Sequence, residues 1–164
     1  MAEPTPPLKP SDWRLAVWRS FLLAHASTIR RLERDLAEHS DLPLTWYDVL
    51  LQLAEAPERR LRMAELADLV LLSRSGLTRL VDRLQDEGLV TREPYPGDAR
   101  GTYTVLTAAG LTRLRAAAPV HLNGISRYWL SRYTEAELVQ LGELLERITG
   151  DQCLLGGAGN DTPD

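Results

Sequence analysis

The chain has 164 residues, 44% of them hydrophobic, and 19 basic against 23 acidic residues give a formal net charge of −4. That is enough apolar matter for one folded unit, and no run approaches the roughly 20 apolar residues that span a bilayer, so no membrane partner and a cytoplasmic location are expected. The opening MAEPTPPLKP lacks an apolar core for export, and the single cysteine, Cys153, can neither close an internal disulfide nor complete a metal-binding cluster.

With 3 histidines and no paired-carboxylate spacing, neither a metal nor another cofactor is expected. The acidic balance taken alone argues against a nucleic-acid partner. Yet 18 of the 19 basic residues are arginine, whose planar fork suits phosphates and guanine edges. Where those arginines sit is therefore the question.

Residues 12–38 place Leu15, Trp18, Leu22, His25, Ile29, Leu32 and Leu36 at alternating spacings of three and four, one apolar stripe of a long helix. Ser11 or Asp12 stands where a cap is wanted. In LPLTWYDVL, Thr45 and Asp48 have the spacing of a capping box, with Leu44 facing Val49 as a hydrophobic staple, for a second helix that ends near Pro57. After a short LRM segment, AELADLVLL predicts a brief helix with Leu66, Leu69 and Val70 inward. A fourth follows over SRSGLTRLVDRLQDEG, where Ser73 can cap and Gly88 can terminate.

Leu77, Leu80, Val81 and Leu84 form the buried stripe of that fourth helix, which leaves Arg74, Ser75, Thr78, Arg79 and Asp82 on a polar face. Taken alone, this face reads as solvated, with ordinary pairs such as Asp82 with Arg79 or Arg83. Strand-like runs at Leu89 to Glu93 and Tyr103 to Thr107 flank the loop YPGDARGTY and predict a hairpin with an extended tip. Thr107 then caps a long helix carrying Leu111, Leu114, Ala118, His121, Ile125 and Tyr128, with a kink expected at Pro119. TEAE opens the last helix as a capping box from Thr134 to Glu137, and Leu138, Leu141, Leu145 and Ile148 mark its apolar side.

Two short helices, a polar-faced helix and a hairpin are the element order of a winged helix-turn-helix. The fold class is therefore mainly α with a small β-hairpin wing, flanked by N- and C-terminal helices. The division expected is a disordered arm at 1–10, one unit at 11–149 with its reading part at 45–107, and a disordered tail at 150–164. A helix in the major groove presents its N-terminal side chains to base edges, here Arg74, Ser75, Thr78 and Arg79, while backbone amides near Ser73 suit a phosphate. The acidic residues Asp82, Asp86 and Glu87 gather at the far end, so local sign overrides total charge.

At LVDRLQDEGLVTREPYPGDARGTYTVLTAAG the chain resembles the MarR (multiple antibiotic resistance regulator) family of bacterial transcription factors, through its Gly-Leu-Val, Asp-x-Arg and Leu-Thr-x-x-Gly pattern. The resemblance runs over residues 12–149. It implies a homodimer held by residues 12–38 and 108–149, a double-stranded DNA partner, and a repressor's role on a pseudo-palindromic operator. It also implies that Asp98 braces Arg100, which enters the minor groove at the tip of the wing. Ala99 departs from the family, which often has a second arginine there. So does Met63-Ala64, where the usual Ser, Thr or Asp cap is missing and fraying is expected.

Family members often release DNA when a small aromatic or anionic effector binds, and Trp18, His25, Trp46 and Tyr47 are the candidates to line such a site, with Arg14 or Arg19 as counter-charge. Aromatics at helical spacing are more often core. Of the rival readings, an enzyme finds no phosphate loop, zinc-protease helix or nucleophile elbow in this chain. A helical protein-interaction module that has lost DNA binding is separated from a DNA reader by its lack of salt-dependent duplex binding.

Overall fold

The computed structural model describes residues 8–70, 74–95 and 101–149. Within them the order is α1 (Arg14–His39), α2 (Leu44–Glu55), β1 (Arg60–Arg62), α3 (Met63–Leu69), α4 (Arg74–Asp86), β2 (Val90–Pro94), β3 (Thr102–Leu106), α5 (Ala108–Tyr128) and α6 (Glu135–Thr149). The fold is mainly helical with one small antiparallel sheet of order β1-β3-β2: a winged helix-turn-helix flanked by N- and C-terminal helices. The expected disordered ends, 1–7 and 150–164 with Cys153, lie outside the described residues.

Helix boundaries follow local chemistry, and in several places they differ from what the sequence implies. Trp13, and neither Ser11 nor Asp12, holds the N-cap position of α1 and makes no side-chain cap bond, while the Asp12 carboxylate one residue earlier accepts the Arg14 amide at 2.9 Å. Thr45, however, does not cap α2. The helix begins two residues earlier than such a cap requires, at Leu44, because the Pro43 carbonyl already accepts the amides of Trp46 and Tyr47 at 2.9 and 3.0 Å, which places Thr45 inside the first turn. The start of α3 is also better held than its Met63-Ala64 suggests, since the Glu65 carboxylate turns back to accept the Arg62 amide at 2.8 Å. Leu69, expected inward, keeps 48% of its surface exposed, because α3 ends there while Leu66 and Val70 take the core side.

The core lies where α2, α4, the sheet and α5 meet. Leu50, Leu53, Leu66, Leu77 and Leu84 are fully buried there. Each such leucine contributes about 1.5–3 kcal/mol relative to an exposed one. α5 runs through Pro119 as a continuous helix and packs along α1. The crossing is close because Gly124 carries no side chain, and a Cβ there would come within 2.5 Å of Leu32. Of the seven stripe residues on α1, only Leu32 and Leu36 are buried within the chain.

One knot joins the parts. The Thr107 hydroxyl accepts the Gly110 amide at 3.0 Å, which caps α5, and lies 2.8 and 3.0 Å from the carbonyls of Gly88 and Leu89. Gly110 must be glycine for this approach, since a Cβ would run into the Leu89 carbonyl oxygen. The Leu-Thr-x-x-Gly pattern is thus the weld between the end of α4, the root of the hairpin and α5.

Candidate nucleic-acid interface

α4 is built to show one face. Leu77, Leu80, Val81 and Leu84 are at most 8% exposed, and the helix turns Ser75, Thr78, Arg79 and Asp82 outward. It stops cleanly at Gly88, whose φ of +70° only glycine adopts without cost. The Gly88 and Leu89 amides close the end onto the carbonyls of Gln85 and Leu84, both at 2.9 Å. Asp82 pairs neither with Arg79 nor with Arg83. Its carboxylate takes Arg92 on β2 at 2.7 Å, an ion pair that fastens the outward face of α4 to the hairpin.

The hairpin register runs from Val90 opposite Leu106 to Pro94 opposite Thr102, one residue displaced from the expected strand limits. The Tyr95 amide adds a further rung, donating to the Gly101 carbonyl at 2.9 Å. Because side chains alternate, Val90, Thr104 and Leu106 face the core while Thr91, Glu93, Tyr103 and Val105 face away. β1 continues that outer face with Arg60 opposite Val105 and Arg62 opposite Tyr103. Arg60 lies over the Tyr103 ring and Arg62 over the Tyr95 ring, and the two tyrosines meet edge to face at 5.3 Å. None of these four residues is among the expected contacts. Their signal was the Arg-x-Arg of β1 and a tyrosine on each side of the tip.

Of the expected DNA contacts, the structure brings Ser75, Thr78 and Arg79 onto one exposed face of α4, and Arg74 is the first residue of that helix. Ser73 and the tip residues Asp98, Ala99 and Arg100 lie outside the described residues.

The four effector candidates occupy four surroundings. Trp18 is 56% exposed and stacks on Phe21 at 5.8 Å in an apolar groove of about 670 Å³ between the start of α1 and α6. His25 borders a crevice of about 210 Å³ between α1 and α2 that Ile29, Glu33, Leu44, Thr45, Asp48 and Val70 also line. Trp46 lines another, of about 420 Å³, beside Arg113 and Glu87. Tyr47 is 3% exposed and packs on the His121 ring at 4.3 Å, a core position. Arg14 already holds Asp12 at 2.5 Å.

Burial shapes the titration of this region. Asp48 is pushed up to about 6 by loss of water around its carboxyl. Burial raises the Tyr47 phenol, with the charges of Asp48 and Glu55 acting in the same direction. It lowers His121, whose Nδ1 has no hydrogen-bond partner among the described residues. Among the described residues no group of three His, Cys, Asp or Glu side chains could hold a metal ion, and no helix is long and apolar enough to cross a membrane.

Comparison with known proteins places this geometry. A model of the MarR family matches residues 40–101. The HTH-type transcriptional repressor YetL of Bacillus subtilis is 31% identical over 107 residues, and the match spans 63% of this chain and 64% of that protein's length. A MarR family transcriptional regulator from Streptomyces coelicolor, solved in complex with DNA, superposes with a TM-score of 0.78 at 36% identity, covering 87% of this chain and 92% of the other. AbsC, a second MarR family regulator from Streptomyces coelicolor, does so with a TM-score of 0.78 at 30% identity over 88% and 96% of the two chains. Identity at this level over nearly the whole of two solved relatives is a family relationship: the chain belongs to the MarR family of helix-turn-helix transcriptional regulators.

Proposed function

We propose that this protein is a homodimeric, sequence-specific repressor that reads a pseudo-palindromic operator with half-site centres about 10 bp apart, one turn of DNA. The observation that carries the reading is α4, whose buried leucine stripe turns Ser75, Thr78 and Arg79 outward beside the hairpin that Arg92 ties to it. α4 enters the major groove with Arg74, Ser75, Thr78 and Arg79 at base edges and Ser73 near a phosphate. The wing reaches the minor groove with Arg100, braced by Asp98. Residues 12–38 and 108–149 form the dimer. The support for that is the row of large apolar side chains that α1 and α6 leave uncovered.

A small effector acts from the crevice beside His25, where the dimer helix α1 meets α2. Its walls carry Glu33 and Asp48, which repel an anion, and Arg14 is already paired with Asp12. The lining therefore favours an aromatic ligand over an anionic one.

The test is selection of genomic fragments by the purified protein, followed by affinity measured across a salt series. Binding should weaken with a slope of about −0.9 per phosphate neutralised, and Arg79→Ala should cost roughly 1–3 kcal/mol and relax preference at one base pair of each half-site. Affinity that is indifferent to salt, or an Arg79→Ala variant that binds the selected site as wild type does, would sink the reading.

A further inference from the structure

Arg60 and Arg62 stand on the same outer face of the sheet, and their surroundings differ. Arg60 lies 4.8 Å from the centre of the Tyr103 ring and has its charge matched twice, by Glu58 and by Glu93 at 3.9 Å. Arg62 lies 3.7 Å from the centre of the Tyr95 ring, and one of its guanidinium nitrogens donates to the Tyr95 hydroxyl. Among the described residues no carboxylate pairs with the Arg62 guanidinium. Glu65, the acid nearest in sequence, is engaged with its amide.

The support beneath Arg62 is itself fixed. Tyr95 is held edge to face against Tyr103 and forms the last described rung of the hairpin through Gly101. Arg62 belongs to β1 and leads directly into α3, the helix that packs against α4. Its exposed guanidinium thus sits at the seam between the hairpin and the helix-turn-helix unit. Those are the two elements that the proposed function lays against the same duplex.

An arginine pinned on an aromatic ring has surrendered its side-chain freedom before any ligand arrives, so little entropy remains to be lost when it binds. Its charge is uncompensated by the described residues, and its remaining N–H donors suit an anionic acceptor such as a phosphodiester oxygen. We propose that Arg62, held on Tyr95, contacts the DNA phosphate backbone at the flank of the wing. The inference rests on the DNA-binding reading above and adds a contact that neither α4 nor the wing tip provides. A phosphate contact reads no base; it fixes the register of the hairpin along the duplex. Tyr95 is the positioning residue and Arg62 the contact.

The experiment measures operator affinity over a salt series for wild type, Arg62→Ala, Arg62→Lys and Tyr95→Leu, with thermal unfolding as a check on folding. Arg62→Ala should bind roughly 10-fold more weakly and show a log–log salt slope shallower by about 0.9 per protomer, while the ranking of operator variants stays as in wild type. Arg62→Lys should keep the wild-type slope and recover only part of the affinity, because an ammonium cannot lie on the ring as a guanidinium does. Tyr95→Leu should weaken binding with the slope retained. Wild-type affinity in Arg62→Ala overturns the proposal. So does a loss of affinity with an unchanged slope, which would make Arg62 a prop of the hairpin. If wild type itself shows no salt-dependent duplex binding, the failure belongs to the DNA-binding reading, a result distinct from a defect absent only in Arg62→Ala.

Discussion

In the winged unit Leu50, Leu53, Leu66, Leu77 and Leu84 have no exposed surface, whereas in the arms Trp13 keeps 75% of its surface in water and Ile148 keeps 80%. Both regions are helices with apolar stripes at the same spacing, so the difference is one of topology. The hairpin folds back over α2 and α4, and α5 closes that core within one chain. The first half of α1 and α6 face each other across a groove, with Val17, Phe21 and Leu144 along its edges. Exposed apolar surface of this kind marks an interaction site, and the proposed dimer would use it. One region is finished by its own sequence; the other leaves apolar surface that the proposed dimer would cover.

That contrast can be broken most directly in the arm. Leu144→Glu combined with Ile148→Glu should convert a dimer to monomers in sedimentation while helix content stays near wild type, and operator affinity should drop by roughly 100-fold or more, as expected when two half-sites no longer act as one. An unchanged mass would show that the arms do not associate through this face. In the winged unit, Leu84→Ala should leave the association intact and cost about 2–5 kcal/mol in denaturant unfolding, because the cavity opens under the capped end of α4. A cost below about 1 kcal/mol would mean that this core is less self-sufficient than its burial implies.

The smallest effect concerns Asp48, in the crevice where the two regions meet. Its folded pKa of about 6 lies above the unfolded value of about 3.9, so its contribution to stability is fully present below pH 4 and is lost as pH rises through 6. Asp48→Asn should therefore leave the melting temperature unchanged at pH 4 and raise it at pH 7.5, by roughly 2 °C because partial exposure screens the charge. A melting temperature equally raised at both pH values would place the gain elsewhere than in the charge.

What could be read in advance followed from how local each signal is. The buried stripe of α4 and its glycine stop, the Thr107 cap and the Thr134 to Glu137 box each lie within a few neighbouring residues, and all stand as the sequence implied. β1 went unseen because its three residues pair with Tyr103 to Val105, more than 40 positions away, and three residues carry no period of their own. The Arg62 to Tyr95 contact is hidden for the same reason, its partners 33 positions apart. Thr45 and Asp48 have the spacing of a capping box, but spacing does not say where the helix starts, and here it is entered from Pro43. The apolar stripe on α1 was legible as a stripe, but its pattern does not say which molecule covers it.

The weld at Thr107 and Gly110 gives α5 a mechanical meaning. Its 21 residues form a rod about 31 Å long, with one end locked to the root of the hairpin and the end of α4 and the other among the arm helices. A tilt of roughly 5° at the arm end, transmitted by the helix as one piece, would carry the winged unit about 3 Å sideways. That is comparable to the rise between stacked base pairs, so in the proposed dimer a change in arm geometry too small to alter any helix would be enough to put the two winged units out of step with the turn of the DNA.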